Sequence, residues 1–231
     1  IKSKNKLFFP DKKELNIENF KNVRNYLKKT KPDILIHLAG LSRPMNVHEK
    51  NIKKSINLNI IGTANITKAC EEMNIKLIYF STNYVYPGEK GNYKDDDKPD
   101  ALDTYGKTKS LGEVRGTNTL TLRSSMIGFE LYNKTELLEW VLSNQNKSIN
   151  GFSNVIYSGI TTSLMSKIVN KIINDFPDLS GIYNVSSAPI SKYSLLKKIN
   201  AIFDLNIKIK SIESKASNKS LDYSNFFMKT G

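Results

Sequence analysis

A single cysteine, Cys70, stands among 231 residues. One thiol excludes an internal disulfide framework and fits a reducing compartment. Cys70 falls inside an amphipathic run, the setting of a small buried hydrophobe rather than of a reactive thiol. Histidine is almost as scarce: His37 and His48 have no Cys or His partners at metal-ligand spacing, so no metal site is expected. Arginine numbers four against 31 lysines. Arginine is the residue that contacts phosphates and base edges bidentately, so the net charge of +13 reads as a diffuse lysine bias and not as a nucleic-acid interface. Such a field would still favour a diphosphate-bearing ligand. No apolar run approaches the ~18 residues of a membrane span, and no signal peptide opens the chain, so a cytoplasmic protein without a membrane partner is expected. Among 12 glycines, neither G-x-G-x-x-G nor G-x-x-G-x-x-G occurs. The turn that cradles a dinucleotide pyrophosphate over a helix N-terminus is therefore absent from this stretch.

What is present is an ordinary globular composition, 39% hydrophobic and 25% charged, free of repeats and heptads. Apolar spacing alternates between two periods. "ENFKNVRNYLKK" sets Phe20, Val23 and Leu27 at helical spacing, and Pro32-Asp33 ends the run. "ILIHLAG" is a short continuous apolar run suited to a parallel strand buried on both faces, "IKLIYFST" is a second buried strand, and "TLTLRSS" is a third strand. A helix between the first two is expected to turn Ile56, Ile60, Ala64, Thr67 and Cys70 or Met73 inward. Later come amphipathic helices at "TELLEWVLSNQ", with Trp140 read as core, and at "SLMSKIVNKIINDF". "SKYSLLKKINAIF" is a further helix capped by Ser191, and "NIKIKSI" is a half-exposed strand. "KDDDKP" reads as a solvated acidic loop. Alternating strands and helices predict an α/β, Rossmann-like doubly wound parallel sheet, whose ligands sit at the carboxyl ends of the strands. Those ends carry Ala39-Gly40, Ser81-Thr82 and Ser124-Ser125.

Tyr105 and Lys109 lie one helical turn apart just after the second of these ends. With 11 tyrosines and 31 lysines, chance supplies roughly 1.5 such pairs, and three occur. Tyr86/Lys90 spans the turn signal Pro87-Gly88, which opposes helical geometry. Tyr193/Lys197 lies in a helix that no strand-end hydroxyl precedes, so a partly buried Tyr beside an exposed Lys is the reading there. Only Tyr105/Lys109 follows a hydroxyl at a neighbouring strand end, Thr82, with Ser81 beside it.

The order "LAG", "NIIGTANI", "YFSTNYVYPG", "YGKTKSLGE", "TLRSSMIG" resembles the extended short-chain dehydrogenase/reductase superfamily, in the branch around dTDP-4-dehydrorhamnose reductase. The later segments "GIYNVSSAPISKYSLLKKI" and "SNKSLDYSNF" resemble that branch's substrate lobe, so the likeness runs over nearly the whole chain. It implies a reductase that moves hydride from NADPH or NADH to a 4-keto-6-deoxy sugar nucleotide in polysaccharide biosynthesis. Tyr105 would be the proton donor, Lys109 would stabilise its phenolate and reach the nicotinamide ribose, and Thr82 would orient the carbonyl. Ala39, Gly40, Ser81, Ser124 and Ser125 would complete the cofactor's surroundings, with Asn83, Met126, Phe129 and Asn154 meeting the substrate. Asn59 is open between a structural and a relay role, and Arg123 reads as a paired structural charge. Residues 1–130 would form the dinucleotide-binding core and residues 131–231 mostly the substrate lobe, with some segments returning to the core. A homodimer is compatible with the family.

The resemblance also implies that the Gly-rich βα unit lies upstream of residue 1. The chain would then be truncated at both ends, and the 231-residue piece would bind NADPH poorly by itself. Asn83-Tyr84 follows Thr82 where dehydratases of this superfamily carry Asp-Glu, which argues against dehydration. Two alternatives stay open. One is an epimerase using the same pair; the other is a non-catalytic partner-binding module such as the regulatory beta subunit of methionine adenosyltransferase.

Overall fold

The computed structural model describes residues 5–41, 45–132 and 134–230. The first helix, α1 (Phe20–Thr30), begins where the Asn19 side chain accepts the Asn22 N–H at 3.0 Å, and its Val23 and Leu27 are buried. It ends at Lys31, whose backbone turns left-handed, and the chain enters strand β1 (Ile34–His37). Short helices α2 (Met45–Lys50) and α3 (Ile52–Ile56) lead through a π-helical turn, Asn57–Gly62, into α4 (Thr63–Glu72). Strand β2 (Lys76–Thr82) follows, buried along its whole length. After a 3-10 turn at Asn83–Val85 come α5 (Thr104–Leu111) and β3 (Thr119–Ser124), again buried throughout.

The π-helical turn changes the face that sequence periodicity predicts. One extra residue in the turn rotates everything before it relative to the rest of the helix. Ser55, Asn59, Thr63, Ile66, Ala69 and Cys70 are buried, whereas Ile56 and Ile61 are exposed. The outcome carries a polar group, the Asn59 side chain, into the interior where an apolar Ile60 was expected.

Beyond β3 the chain forms β4 (Met126–Ile127), α6 (Leu137–Leu142), β5 (Ser148–Phe152), β6 (Val155–Tyr157), β7 (Ile160–Thr161) and α7 (Thr162–Asp175). It ends with β8 (Gly181–Asn184), β9 (Ile190–Ser191), α8 (Lys192–Phe203), β10 (Lys208–Ile212), β11 (Ser217–Asn218) and α9 (Ser224–Thr230). The main sheet has the order β1-β2-β3-β8 and is parallel, the α/β Rossmann-like arrangement expected from the alternating pattern. In register, Ile34, Leu35, Ile36 and His37 face Lys76, Leu77, Ile78 and Tyr79.

The chain divides into two compact units. The first comprises Ile1–Pro87, Lys98–Arg123 and Asn170–Tyr183. Its core joins Val23 and Leu27 of α1 to Ile66, Ala69 and Cys70 of α4 and to Leu77 of β2. Cys70 is thus the buried hydrophobe its context suggested, and burial pushes its thiol up to about 12. The second unit comprises Gly88–Asp97, Ser124–Val169 and Asn184–Gly231. Its core gathers Leu138 and Val141 of α6, Ile149 of β5, and Leu196 and Ile199 of α8. Ser191 caps α8 as its position predicted, accepting the Ser194 N–H at 3.1 Å. Trp140 is a correction: it is 41% exposed, because Leu138 and Val141 occupy the inward stripe of so short a helix. The acidic loop is anchored as well as solvated. Asp95 Oδ1 accepts the Asn184 N–H at 2.6 Å, and Asp97 pairs with Lys90 at 2.8 Å.

Candidate active site

Strand β2 delivers Ser81 and Thr82 to its carboxyl end, both nearly buried. Thr82 Oγ1 accepts the Tyr84 N–H at 3.2 Å, which caps the 3-10 turn and fixes the hydroxyl at the strand mouth. Asn83 is buried within that turn. Ser81 is used differently: its hydroxyl donates to Glu113 Oε1 at 2.6 Å. Glu113 in turn grips Arg123 with two hydrogen bonds, Nε to Oε1 at 2.8 Å and Nη2 to Oε2 at 2.7 Å. Arg123 is fully buried and also donates Nη1 to the Tyr86 hydroxyl at 2.5 Å. This is the paired structural charge that the strand context suggested, and it ties β3 to the segment after α5.

Helix α5 starts at Asp103, whose carboxylate accepts the Gly106 N–H at 2.8 Å. Tyr105 occupies its first turn and Lys109 the next, so the i, i+4 relation places both on one helix face. Two glycines let this helix lie close to its neighbours. A Cβ on Gly106 would run into the Tyr84 carbonyl and Ala101, and one on Gly112 into the Asn59 carbonyl. The Tyr105 ring, half-buried, lies 4.8 Å from the His48 ring and 5.8 Å from that of Tyr84.

Lys109 is only 7% exposed. Its ammonium donates to the Tyr79 hydroxyl at 2.7 Å and to the Phe80 carbonyl at 2.8 Å. It also stands 4.3 Å from the centre of the Tyr79 ring. Burial pulls its pKa down to about 8, while the nearby Glu113 carboxylate pulls the other way. The Tyr105 phenol lies within electrostatic reach of Tyr79, so α5 carries both Tyr105 and Lys109 alongside β2.

Ala39 and Gly40 leave β1 at the neighbouring strand end and are exposed. A Cβ on Gly40 would stand 3.1 Å from Asn59 Oδ1 and 4.0 Å from Lys109 Nζ. Asn59 resolves toward structure: Oδ1 accepts the Leu41 N–H at 3.0 Å and Nδ2 donates to Thr108 at 3.1 Å. It therefore fixes the loop after β1 against α5, next to the lysine.

The remaining expected residues belong to the second unit. Ser124 is buried at the end of β3, and Ser125 accepts the Ile160 N–H at 2.9 Å through its carbonyl. Met126 is exposed in β4, and Phe129, 66% exposed, meets Phe203 edge-on at 6.0 Å. The Asn154 amide is engaged by a loop, donating to the Ser214 carbonyl at 2.7 Å and accepting its N–H at 3.1 Å. Of the two competing pairs, Lys90 bonds Asp97, and Lys197 lies over the ring of its own Tyr193 at 5.6 Å.

Sequence reasoning passed over Tyr79, Thr63 and Glu113. A signal for Tyr79 was present: a phenol in a strand apolar on both faces needs a buried partner for its hydroxyl. Glu113 lies beyond the end of α5, where helical spacing gives no signal for it.

The profile of the RmlD substrate binding domain matches residues 1–222. The dTDP-4-dehydrorhamnose reductase of Aggregatibacter actinomycetemcomitans is 28% identical over 215 residues, 88% of this chain and 71% of that one. Methionine adenosyltransferase 2 subunit beta of Xenopus tropicalis is 26% identical over 204 residues, 83% of this chain and 60% of that protein. The chain therefore spans less than two thirds of the second relative. A crystal structure of dTDP-4-dehydrorhamnose reductase from Bacillus anthracis in complex with NADP superposes with a TM-score of 0.84 at 24% identity, covering 95% of this chain and 82% of that one. By the extent of the profile match, the chain belongs to the RmlD substrate binding domain family.

Proposed function

We propose that this protein takes part in an NAD(P)H-dependent reduction of a 4-keto-6-deoxy sugar nucleotide, with Tyr105 as proton donor, Lys109 as its electrostatic partner and Thr82 as the orienting hydroxyl. The observation that carries the reading is the buried Lys109 ammonium, bonded to Tyr79 and Phe80 one helical turn from Tyr105. A cation is retained in so dry a position at a cost, and a strand-end site beside a tyrosine gives it a use.

The residues fit the nicotinamide-ribose end of such a cofactor. Two of the three ammonium N–H bonds of Lys109 are taken by core groups, which leaves one donor for a ribose hydroxyl. Gly40, with no side chain, leaves room beside that ammonium. NAD(P)H, when bound, supplies the hydride. As the ketone carbon becomes tetrahedral, its oxygen gains negative charge, and Tyr105 transfers its phenolic proton to that oxygen. The Lys109 ammonium lowers the cost of the phenolate left behind. Thr82 donates a hydrogen bond to the same oxygen and holds the carbonyl in line. Ser81, bonded to Glu113, supports the strand end. Ser124, Ser125, Met126 and Phe129 are proposed to contribute through the second unit, Asn83 from the turn after β2, and Asn154 by shaping its loop.

The likeness to a dTDP-4-dehydrorhamnose reductase supports a nucleotide-diphosphate sugar as substrate, and the positive net charge favours a diphosphate. No helix among the described residues is long and apolar enough to cross a membrane. The likeness to methionine adenosyltransferase 2 subunit beta favours a second reading, a partner-binding module. Turnover separates the two. The longest chain the gene encodes, mixed with NADPH and 4-keto-6-deoxy sugar nucleotides, should consume nicotinamide absorbance. Tyr105→Phe should reduce kcat about a hundredfold or more. No turnover with any such sugar would reject the reductase reading in favour of partner binding.

A further inference from the structure

Behind Lys109 runs a set of buried polar groups that the proposed chemistry does not touch. Tyr79 is fully buried in β2, opposite His37 in the register of β1, with the rings 5.4 Å apart. The Tyr79 hydroxyl accepts from the Lys109 ammonium and shares a further hydrogen bond with Thr63. Thr63 Oγ1 donates to the Asn59 carbonyl at 3.0 Å, and His37 Nε2 stands 3.1 Å from the same oxygen. His37 thus adds a second polar contact to the buried Thr63 hydroxyl. Burial, reinforced by the Lys109 charge, brings His37 down to about 3, so the ring is neutral at working pH. His37, Thr63, Tyr79 and Lys109 thus form one buried hydrogen-bonded chain.

We infer that Tyr79 is a positioning residue for Lys109, oriented in turn by Thr63 and His37, and that this buried chain holds the ammonium with a single N–H turned to the ligand. The inference rests on the reductase reading of the site but concerns the lysine, which can be observed without turnover. Three features argue against Tyr79 as a mere core aromatic. Its hydroxyl is an acceptor for the Lys109 ammonium, the phenol cannot release its proton because burial pushes its pKa up, and its ring supplies a second contact to the same cation. The charged or titratable groups facing Lys109 are Glu113 from the segment after α5, Tyr79 from β2 and His37 from β1, with Tyr105 one helical turn back on α5. Of these only Glu113 bears a negative charge at neutral pH, and it is shared with Arg123. The Tyr79 hydroxyl therefore shares with the Phe80 carbonyl the burden of keeping the ammonium charged.

The test is Tyr79→Phe, which keeps the ring and removes the acceptor. Side-chain NMR of isotope-labelled lysine, with the Lys109 signal assigned by its loss in Lys109→Met, follows the titration directly. The wild-type signal should titrate near pH 8, and Tyr79→Phe should move the midpoint down by about one unit. Thr63→Val, which removes the second partner of the Tyr79 hydroxyl, should move it in the same direction by less, and serves if Tyr79→Phe does not fold. Leu77→Val, a buried neighbour in β2 outside the chain of hydrogen bonds, should leave it in place. In the enzyme assay the alkaline limb of kcat should follow the NMR midpoint, with KM for the sugar nucleotide changed less than about twofold. An unmoved midpoint in folded Tyr79→Phe or Thr63→Val would overturn the inference. A shifted midpoint in a protein without turnover on any sugar nucleotide would uphold the positioning and reject the reductase reading.

Discussion

Arg123→Met should be the most damaging single change in the parallel-sheet unit. The guanidinium is fully buried and makes two hydrogen bonds to Glu113 and one to Tyr86. The side chain of Glu113 is 6% exposed, so methionine leaves a carboxylate in the interior with the Ser81 hydroxyl as its remaining donor among these bonds. Breaking a buried pair from one side costs about 3–5 kcal/mol, because the orphaned charge keeps its desolvation penalty. At about 2–4 °C per kcal/mol for a chain of this size, the melting temperature should fall by about 6–20 °C. Arg123→Lys keeps the charge but cannot reproduce the fork, and should lose about half as much. The double variant Arg123→Met/Glu113→Leu removes both charges and should recover most of the loss. Urea denaturation followed by circular dichroism at pH 7 measures all three. A loss below about 1 kcal/mol for Arg123→Met, or a double variant no more stable than the single one, would refute the reasoning.

His37 has its pKa lowered from 6.5 to about 3, so the unfolded chain binds the extra proton first and stability declines as pH falls through that window. The fall contributes up to about 5 kcal/mol, and His37→Gln should flatten the acid limb of a stability-versus-pH curve. Lys109, lowered from 10.5 to about 8, works in the same sense at higher pH: stability should rise between pH 8 and 10.5 as the buried ammonium discharges. Lys109→Met should remove that rise, worth about 3 kcal/mol, while abolishing turnover. Gly112→Ala, whose Cβ meets the Asn59 carbonyl, should cost about 1–3 kcal/mol and should weaken NADPH binding if α5 shifts, both read by thermal shift with and without NADPH. Tyr193→Phe, by contrast, should leave kcat within about twofold, since its lysine partner lies in a different unit from Thr82.

The alternation of short strand runs with amphipathic helices determined the parallel sheet, and β2 and β3 are buried along their whole length as such a sheet requires. It also singled out Tyr105 and Lys109 from two other pairs, since helical spacing and a preceding strand-end hydroxyl are properties of the order of residues alone. The helix across the π turn was legible as a helix but not in its buried face, because a single inserted residue changes phase without leaving a mark in composition. Trp140 was misread for a related reason: apolar character argues for burial, but a six-residue helix has room inside for only two of its residues. What only the tertiary structure decided was the company Lys109 keeps. Tyr79 is thirty positions away and His37 seventy-two, and they reach the lysine because parallel pairing sets His37 beside Tyr79 while α5 lies against β2. A local sequence can specify an amphipathic turn. Which hydroxyl ends up 2.7 Å from a buried ammonium depends on register between strands, and that is settled only when the sheet closes.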